Sequence, residues 1–308
     1  MSVPKITILL ASFQGAPFLV SQLDSLNAQH LGPLRVDLSD DGSTDGTLAL
    51  IEGNRARWDR LSILVRRGPG QGAVENFRSL VLAQAGETSD FYAFCDQDDI
   101  WHPDKLARAV AWLDTAGGRP ALFCGRTRIL DQKGNIRGLS PLFARPPGFR
   151  NALVQSIAGG NTMVMNHAAF DLLRQSLHSG TPVVHDWWCY IIVSGAGGLV
   201  HYEPEPLVDY RQHAGNLIGA NDGWGARLKR IGGLLAGWQR AWNSQHLDLL
   251  SDCAPLLTAE ARAVAGTLVE IRAAPLMQRP GLLRKAGLYR QSRMGQIGLV
   301  LGCLAGRI

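Results

Sequence analysis

The chain has 308 residues, 46 % apolar and 19 % charged, so it can form one large α/β domain or two smaller ones and is not a disordered chain. Its five cysteines are widely spaced without a Cys-x-x-Cys pair, which argues against a zinc site or a disulfide framework and favours a reducing cytoplasm. The net charge of +5 is unevenly distributed, because the segment from Gly225 onward contains 12 Lys and Arg but 4 Asp and Glu. Such a basic tail suggests an anionic neighbour, either a membrane surface or a nucleic acid.

Four apolar segments in the first 115 or so residues have the pattern of buried strands, and each is followed by a helical pattern. The first has no cationic lead and no cleavage site, so it predicts a strand and not a signal peptide. This alternation predicts a doubly wound, mostly parallel sheet. The predicted strands are 5–13, 34 to the acids at 40–41, 61–67 and 90–99, and the predicted helices are 15–29, 47–58, 68–85 (after a glycine loop) and 102–116.

Polar residues stand at the carboxyl ends of three predicted strands, at Ser12–Phe13, Asp40–Asp41 and Asp96–Asp98. Ligands of open α/β sheets bind beyond these ends. We therefore expect the three groups to converge in space although they are far apart in the sequence.

The second half of the chain is more irregular, and no stretch reaches the ~18 apolar residues that span a bilayer. The stretch 140–150 is rich in proline and predicts a mobile loop over the site. The other predictions are two strands around a turn in 121–138, a strand and helix in 159–175, a helix, strand and loop in 185–216, and helices beyond 224.

The segment "FCDQDDIWHPD" (94–104) gives the strongest candidate site. Carboxylates such as Asp96 and Asp98 suit Mg²⁺ or Mn²⁺, which prefer oxygen ligands and share them with substrate phosphates. The alternative is a solvated turn with a helix cap from Asp99 or Asp104. Asp40–Asp41 has a similar pair of interpretations, namely hydrogen bonding to a base or ribose, or a β-turn closed on itself.

A second candidate lies in "VVHDWW" (183–188). Apolar surroundings raise the proton affinity of a carboxyl, which suits Asp186 to general-base chemistry. Trp187 and Trp188 could pack on sugar rings or could be core residues at a helix start. Farther on, Arg211 could bind phosphate and His213 could ligate a metal, although a lone histidine is usually a surface residue.

Three common signatures are missing from the sequence. The glycine segment 68–77 lacks Gly-Lys-Ser/Thr, which argues against a P-loop, and it lacks Gly-x-Gly-x-x-Gly, which argues against a dinucleotide fold. The absence of Gly-x-Ser-x-Gly argues against an α/β-hydrolase.

Together these segments resemble glycosyltransferase family 2, the inverting GT-A sugar transferases, and most of all its bacterial rhamnosyltransferase-like members. The first motif departs mildly, with Phe13–Gln14 where Tyr-Asn is usual. The resemblance covers residues 5–219 and rests on "ASFQGAPFLVSQLDSLNAQ", "SDDGSTDGT", "GQGAVENF", "FCDQDDIWHPDKL", "GGNTMV", "HDWW" and "YRQHAGNLIG".

The resemblance implies a GT-A domain over 1–219, with a nucleotide-sugar half (1–115) and an acceptor half (116–219), followed by a basic helical extension over 220–308. It implies Asp186 as catalytic base and a Mg²⁺ or Mn²⁺ ion on Asp98, with His213 completing the shell. The implied donor-binding residues are Ala11, Ser12, Phe13, Asp41, Asn76, Asp96 and Arg211, and the implied acceptor-binding residues are Gly160, Asn161, His185, Trp187 and Trp188.

The expected function is transfer of a sugar, rhamnose from dTDP-rhamnose, to a hydroxyl of a glycan or lipid-linked glycan for cell-surface polysaccharide. A cytoplasmic location is expected, with the basic tail suggesting peripheral contact with the anionic inner membrane face. Two alternatives stay open. A nucleotidyltransferase would need a glycine-rich basic loop after the first strand, and a nucleic-acid binder is suggested by charge alone, without a recognition motif, so nucleic acid is not expected.

Overall fold

The computed structural model describes residues 3–86, 88–212 and 238–308. Strands and helices are interspersed through residues 3–212, and the described part from 238 onward is helical. The strands are β1 Ile6–Ser12, β2 Leu34–Asp40, β3 Leu61–Arg67, β4 Phe91–Asp96, β5 Ile100–Trp101, β6 Ala121–Gly125, β7 Arg128–Leu130, β8 Ile136–Leu139, β9 Val164–Asn166, β10 Leu199–Glu203 and β11 Val208–Arg211.

The α-helices lie between the strands and after them. They are α1 Leu19–Asn27, α2 Thr47–Asn54, α3 Ala73–Leu82, α4 Lys105–Leu113, α5 Phe149–Ala152, α6 His167–Leu177, α7 His185–Gly195, α8 Trp238–Asp252, α9 Ala259–Ala273, α10 Arg279–Ala286 and α11 Arg293–Leu304. Single 3₁₀ turns occupy Arg55–Arg57, Asp114–Ala116, Gly160–Thr162, Ala254–Leu256 and Leu276–Gln278.

A seven-stranded sheet forms the centre, in the order β10-β6-β9-β4-β1-β2-β3. The four predicted N-terminal strands all pair in parallel, and the sheet is mixed only because β9 runs antiparallel to β4 and β6. Every residue of β1 is buried, as expected of a strand covered by helices on both faces. The prediction of a mostly parallel α/β sheet with C-terminal helices is confirmed.

A second sheet, in the order β5-β11-β7-β8, was not predicted. It corrects two details, because 121–138 contains three strands instead of two, and the predicted loop after β10 contains β11. These strands are two to four residues long, too short to show a period in the sequence. This sheet places Arg211, at the end of β11, near the acids that follow β4.

The C-terminal helices share a hydrophobic core with α5–α7. Leu250, Leu268 and Leu299 belong to the same buried cluster as Phe149 of α5 and Trp188 of α7. Full burial of one such leucine or phenylalanine side chain contributes roughly 1.5–3 kcal/mol to stability. The predicted division at 219/220 lies outside the described residues and stays a prediction.

The proline-rich stretch has no helix or strand before α5, as predicted, but its contacts fix it to other elements. Gly148 N donates to Tyr190 Oη over 2.8 Å, and Arg145 stacks on the Tyr289 ring at 4.1 Å. Arg145 N also donates to Gln291 Oε1 over 3.0 Å. The stretch therefore connects α7 to the C-terminal helices, and none of these three contacts involves the acids after β4.

None of the helices described in the structure is long and apolar enough to cross a membrane.

Candidate active site

The carboxyl ends of β1, β2 and β4 meet at one edge of the sheet, as predicted. Ala11 is paired with Asp96 across β1 and β4, and Ser12 with Asp40 across β1 and β2. Gln97, to which the sequence assigns no role, joins the ends, because its Oε1 accepts from Phe13 N over 2.9 Å and its Nε2 donates to Phe13 O over 2.9 Å. Phe13 is 55 % exposed, so these two hydrogen bonds hold an aromatic side chain at the surface beside the acids.

The Asp41 carboxylate is held by the glycine loop that precedes α3. Gly70 N and Gly72 N each donate to one of its oxygens over 2.7 Å. Both glycines have positive φ, a backbone conformation that other residues rarely adopt. Asn76 lies behind this loop, where its Nδ2 donates to Ser39 O, and its buried Oδ1 has no hydrogen-bond partner in the part of the chain that the structure describes. Asp40, in contrast, accepts hydrogen bonds from Ser43 N and Oγ, which agrees with the β-turn interpretation for that residue.

Three carboxylates influence one another at this edge. Partial burial, with the charges of Asp98 and Asp186 adding to it, raises the pKa of Asp96 to about 7. Asp186 comes from α7, more than eighty residues away in the sequence. Such a concentration of negative charge is unfavourable without cations, so the arrangement is chemically suited to a divalent ion.

Behind these acids lies a buried polar network that the sequence did not indicate. Asp99 is fully buried and accepts from Asn161 Nδ2 over 2.5 Å and from Arg211 N over 3.3 Å. Lys105 Nζ donates to Asn161 O over 2.5 Å and lies over the Trp101 ring. Burial raises the pKa of Asp99 well above its usual range and lowers that of Lys105 well below its own. The network fixes the 160–162 turn against the acids after β4, and Asp99 is not a helix cap.

Asp186 lies in the first turn of α7, where backbone N–H groups point toward a carboxylate. Gly160 N donates to its Oδ2 over 2.9 Å. Burial nevertheless raises the pKa of Asp186 to about 6, against the lowering effect of these hydrogen bonds. A side chain at Gly160 would place its Cβ 2.6 Å from His185 Nε2, so only glycine allows this close approach.

His185 packs between aromatic rings beside Asp186. Its ring stacks on Phe77 at 4.0 Å and meets Phe94 edge-on at 4.9 Å. Burial lowers the pKa of His185 to about 3, so the imidazole is neutral at pH 7. Neither ring nitrogen has a hydrogen-bond partner among the described residues. An unpaired polar group of this kind is costly unless a ligand or water satisfies it.

Trp187 and Trp188 belong to the core, which corrects the expectation that they border an acceptor. Trp188 is fully buried, and its Nε1 donates to Ser176 Oγ over 2.9 Å. Trp187 is 6 % exposed and donates to Ala152 O. Helical spacing alone did not separate the two interpretations, because both faces of α7 are covered, one by the sheet and one by the C-terminal helices.

We expect Trp188→Ala to lower the free energy of unfolding by about 3–5 kcal/mol, because it leaves a large cavity and removes the hydrogen bond from Trp188 Nε1 to Ser176 Oγ. Urea denaturation followed by circular dichroism measures this loss. Trp242, which is 39 % exposed, supplies the control, and its replacement by alanine should cost about 1 kcal/mol or less. Equal losses in the two variants would contradict the core assignment of Trp188.

Of the two predicted metal ligands, the structure describes Asp98 alone. His213 lies outside the described residues. Within 3–86, 88–212 and 238–308, no three His, Cys, Asp or Glu side chains form a set that could hold a metal ion. Asp98 nevertheless offers the oxygen donors that hard cations prefer. It is 9 % exposed and lies close to Asp96, the carboxyl whose pKa is raised. The residues present thus fit a divalent cation that would take its remaining ligands from elsewhere.

The remaining predicted residues lie around these acids. Arg211 Nε donates to Asp98 O over 3.2 Å, and its guanidinium lies 5.3 Å from the Phe18 ring. Gly160 and Asn161 form the turn between Asp99 and Asp186. Gln97, Asp99 and Lys105 were missed. The one sequence signal for them was their position in and just after the acidic segment.

Solved structures with this fold were found by comparison of coordinates. The Staphylococcus aureus TarS fragment 1–349 in complex with UDP-GlcNAc has a TM-score of 0.54 and 15 % identity, over 98 % of this chain and 90 % of that one. GalNAc-T7 with UDP, GalNAc and Mn²⁺ has a TM-score of 0.51 and 13 % identity, over 69 % of this chain and 44 % of that one. At such identities these structures show the fold, which is GT-A.

Sequence comparison gives a more specific result. The chain is 26 % identical to the dTDP-rhamnosyl transferase RfbG of Shigella flexneri over 258 residues, which are 79 % of this chain and 85 % of that protein. The family model described as "Glycosyl transferase family 2" matches residues 7–178, which is more than half of the chain and includes the three strand ends and the 160–162 turn. With the acids placed at the sheet edge as described, the chain belongs to glycosyltransferase family 2.

Proposed function

We propose that this glycosyltransferase moves a sugar from a nucleotide diphosphate sugar to a hydroxyl of a glycan or lipid-linked glycan, with inversion at the anomeric carbon. The observation that carries the proposal is the position of Asp186. It is a carboxyl with a raised pKa, presented at a helix N-terminus beside the acids of the sheet edge. Its surroundings suit a group that takes up a proton during a reaction.

The donor's nucleotide would lie along the ends of β1 and β2. Ala11, Ser12 and Phe13 with Asp41 would contact the base, and Asp96 would contact the ribose or sugar. Asn76 would act from behind, because its Nδ2 donates to Ser39 O, two residues before Asp41. Support for dTDP-rhamnose comes from the RfbG relative and from the motifs in the sequence.

Asp98 would hold Mg²⁺ or Mn²⁺, and His213 would supply a further ligand. A bound divalent ion supplies Lewis-acid neutralisation of the charge that builds on the leaving diphosphate. The guanidinium of Arg211 lies close to Asp98 and offers bidentate hydrogen bonds to phosphate. The Mn²⁺ in the GalNAc-T7 structure is consistent with this proposal.

Asp186 would remove the proton from the acceptor hydroxyl as that hydroxyl attacks. The Gly160 N–H keeps its carboxylate oriented. The neutral His185 beside it, whose ring nitrogens are buried and unpaired within the described residues, would border the acceptor. Asn161 holds the same turn in place. The acceptor would therefore approach between the 160–162 turn and the start of α7.

The organisation predicted from the sequence completes the proposal. Residues 1–115 would bind the donor, 116–219 would bind the acceptor, and the basic extension 220–308 would bring the enzyme to an anionic membrane from the cytoplasm. No described contact favours a nucleotidyltransferase or a nucleic-acid-binding protein over this function.

A thermal-shift panel of nucleotide sugars with and without Mn²⁺ tests the donor and the metal together. A ligand at 100 times its dissociation constant stabilises the folded state by about 2.7 kcal/mol, so we expect a clear rise in Tm for dTDP-rhamnose with Mn²⁺. We expect a smaller rise without the ion. A larger rise in Tm with another nucleotide sugar would identify that sugar as the donor instead of dTDP-rhamnose. No rise in Tm with any nucleotide sugar of the panel would overturn the proposed donor site.

A further inference from the structure

The end of the described chain carries an exposed apolar surface, which we name the tail face. It consists of Leu276, Met277, Met294, Ile297 and Leu301, whose exposures range from 52 % to 89 %. A cluster of this kind is uncommon on a monomeric soluble protein and marks an interaction surface.

The tail face is continuous. Met294, Ile297 and Leu301 are spaced by three and four residues, so they lie on one side of α11. The opposite side of α11 packs into the core through Leu299 and Cys303. Arg279 Nη1 donates to Leu304 O over 2.9 Å, which places the turn containing Leu276 and Met277 beside the end of α11.

The segment that carries the tail face has charged side chains of a single sign. Residues 271–308 contain seven Arg and Lys and no Asp or Glu. Arg293 is exposed one turn before Ile297 on α11. Arg284 and Lys285 are exposed on α10, which packs against α11. Apolar side chains bordered by cations are the composition of helices that lie in the interface of an anionic membrane.

We propose that the tail face docks on an anionic phospholipid bilayer, with α11 lying in the plane of the interface. Apolar side chains would enter the boundary of the acyl chains while Arg284, Lys285 and Arg293 meet the phosphates. A second copy fits less well, because a two-fold contact through this face would bring two cationic surfaces together. The proposal rests on the proposed function for the reason to approach a membrane, namely a lipid-linked acceptor.

Co-sedimentation of the full chain with phosphatidylcholine vesicles, with and without phosphatidylglycerol, tests the proposal. We expect binding to the anionic vesicles that weakens at high salt. The variant Ile297→Asp/Leu301→Asp should bind at least about tenfold more weakly, because it puts charge into the docking face. Val269→Asp is the matched control, since Val269 is also 52 % exposed on a helix of the same extension, next to the acidic Glu270. The control should bind like the wild type.

The outcomes separate this proposal from the donor site. The Ile297→Asp/Leu301→Asp variant should keep the wild-type Tm and the wild-type thermal shift with nucleotide sugar, so its loss of vesicle binding would concern the tail face alone. Equal vesicle binding by the variant and the wild type would overturn the proposal. Absence of wild-type binding, with a dimer that the substitutions dissociate on size-exclusion chromatography, would assign the face to a second copy instead.

Discussion

Replacement of Asp186 by asparagine should reduce sugar transfer by about 10²- to 10⁴-fold, the usual contribution of a general base. Asparagine keeps the size of the side chain and can still accept from Gly160 N, but it cannot take the proton of an acceptor hydroxyl. Donor affinity should change little, because none of the predicted donor contacts lies on α7. Steady-state kinetics with nucleotide release, and thermal shift with the donor, measure the two quantities separately.

The pH dependence gives a second readout for Asp186. The base must be ionised, so kcat/KM should fall about tenfold per pH unit below pH ~6, where its carboxyl is protonated. The raised pKa also means that ionisation of Asp186 opposes folding as the pH rises above 3.8. Asp186→Asn should consequently melt no lower than the wild type at pH 7.

Asp171→Asn is a suitable control for Asp186→Asn, because Asp171 is a helical acid whose partners are Arg174 and Gln175. It should turn over like the wild type. An Asp186→Asn enzyme with near wild-type turnover would remove Asp186 from the role of base.

Asp98→Asn should abolish the effect of Mn²⁺ on donor binding and lower transfer by ~10²-fold or more, since charge neutralisation by a metal contributes several kcal/mol. The substitution also removes the repulsion that Asp98 exerts on Asp96 and Asp99. Without metal or donor, the variant should therefore melt at or above the wild-type temperature. Thermal shift with and without Mn²⁺ detects both effects.

Asp104→Asn is the matched control for Asp98→Asn. Asp104 belongs to the same acidic segment, but its side chain is 64 % exposed and hydrogen bonds His30. It should retain the full response to Mn²⁺. If Asp98→Asn also retains that response, Asp98 is not a metal ligand.

The sequence predicted the parallel part of the sheet well because β1–β4 are six or seven residues long and separated by helices, and all but β3 are almost entirely buried. It also predicted that Ser12, Asp40 and Asp96 would meet, since parallel strands end at one edge. The same reasoning could not find the second sheet, whose strands are too short to show a period. It could not place the proline-rich stretch either, because the partners of that stretch lie 40 to 150 residues away.

The polar residues of the site were predicted less evenly. Asp99 looked like a helix cap because its partner, Asn161, is more than sixty residues distant. Lys105 was unremarked, since a lysine in a helix is normally exposed, whereas here it is 1 % exposed. Trp187 and Trp188 have the same pattern whether they face a sugar or a core, and only their packing against α5, α6 and the C-terminal helices decides between them. Tertiary contacts thus supplied what local patterns could not.

The core that α8–α11 share with α5–α7 has a consequence for attempts to change acceptor preference by making chimeras. A graft that exchanges these C-terminal helices for those of a relative would have to replace the matching surfaces of α5 and α7 as well, because Leu250, Leu268 and Leu299 lie in one buried cluster with residues of those helices. Since α7 begins at the residues that flank Asp186, such an exchange would reach the proposed catalytic base.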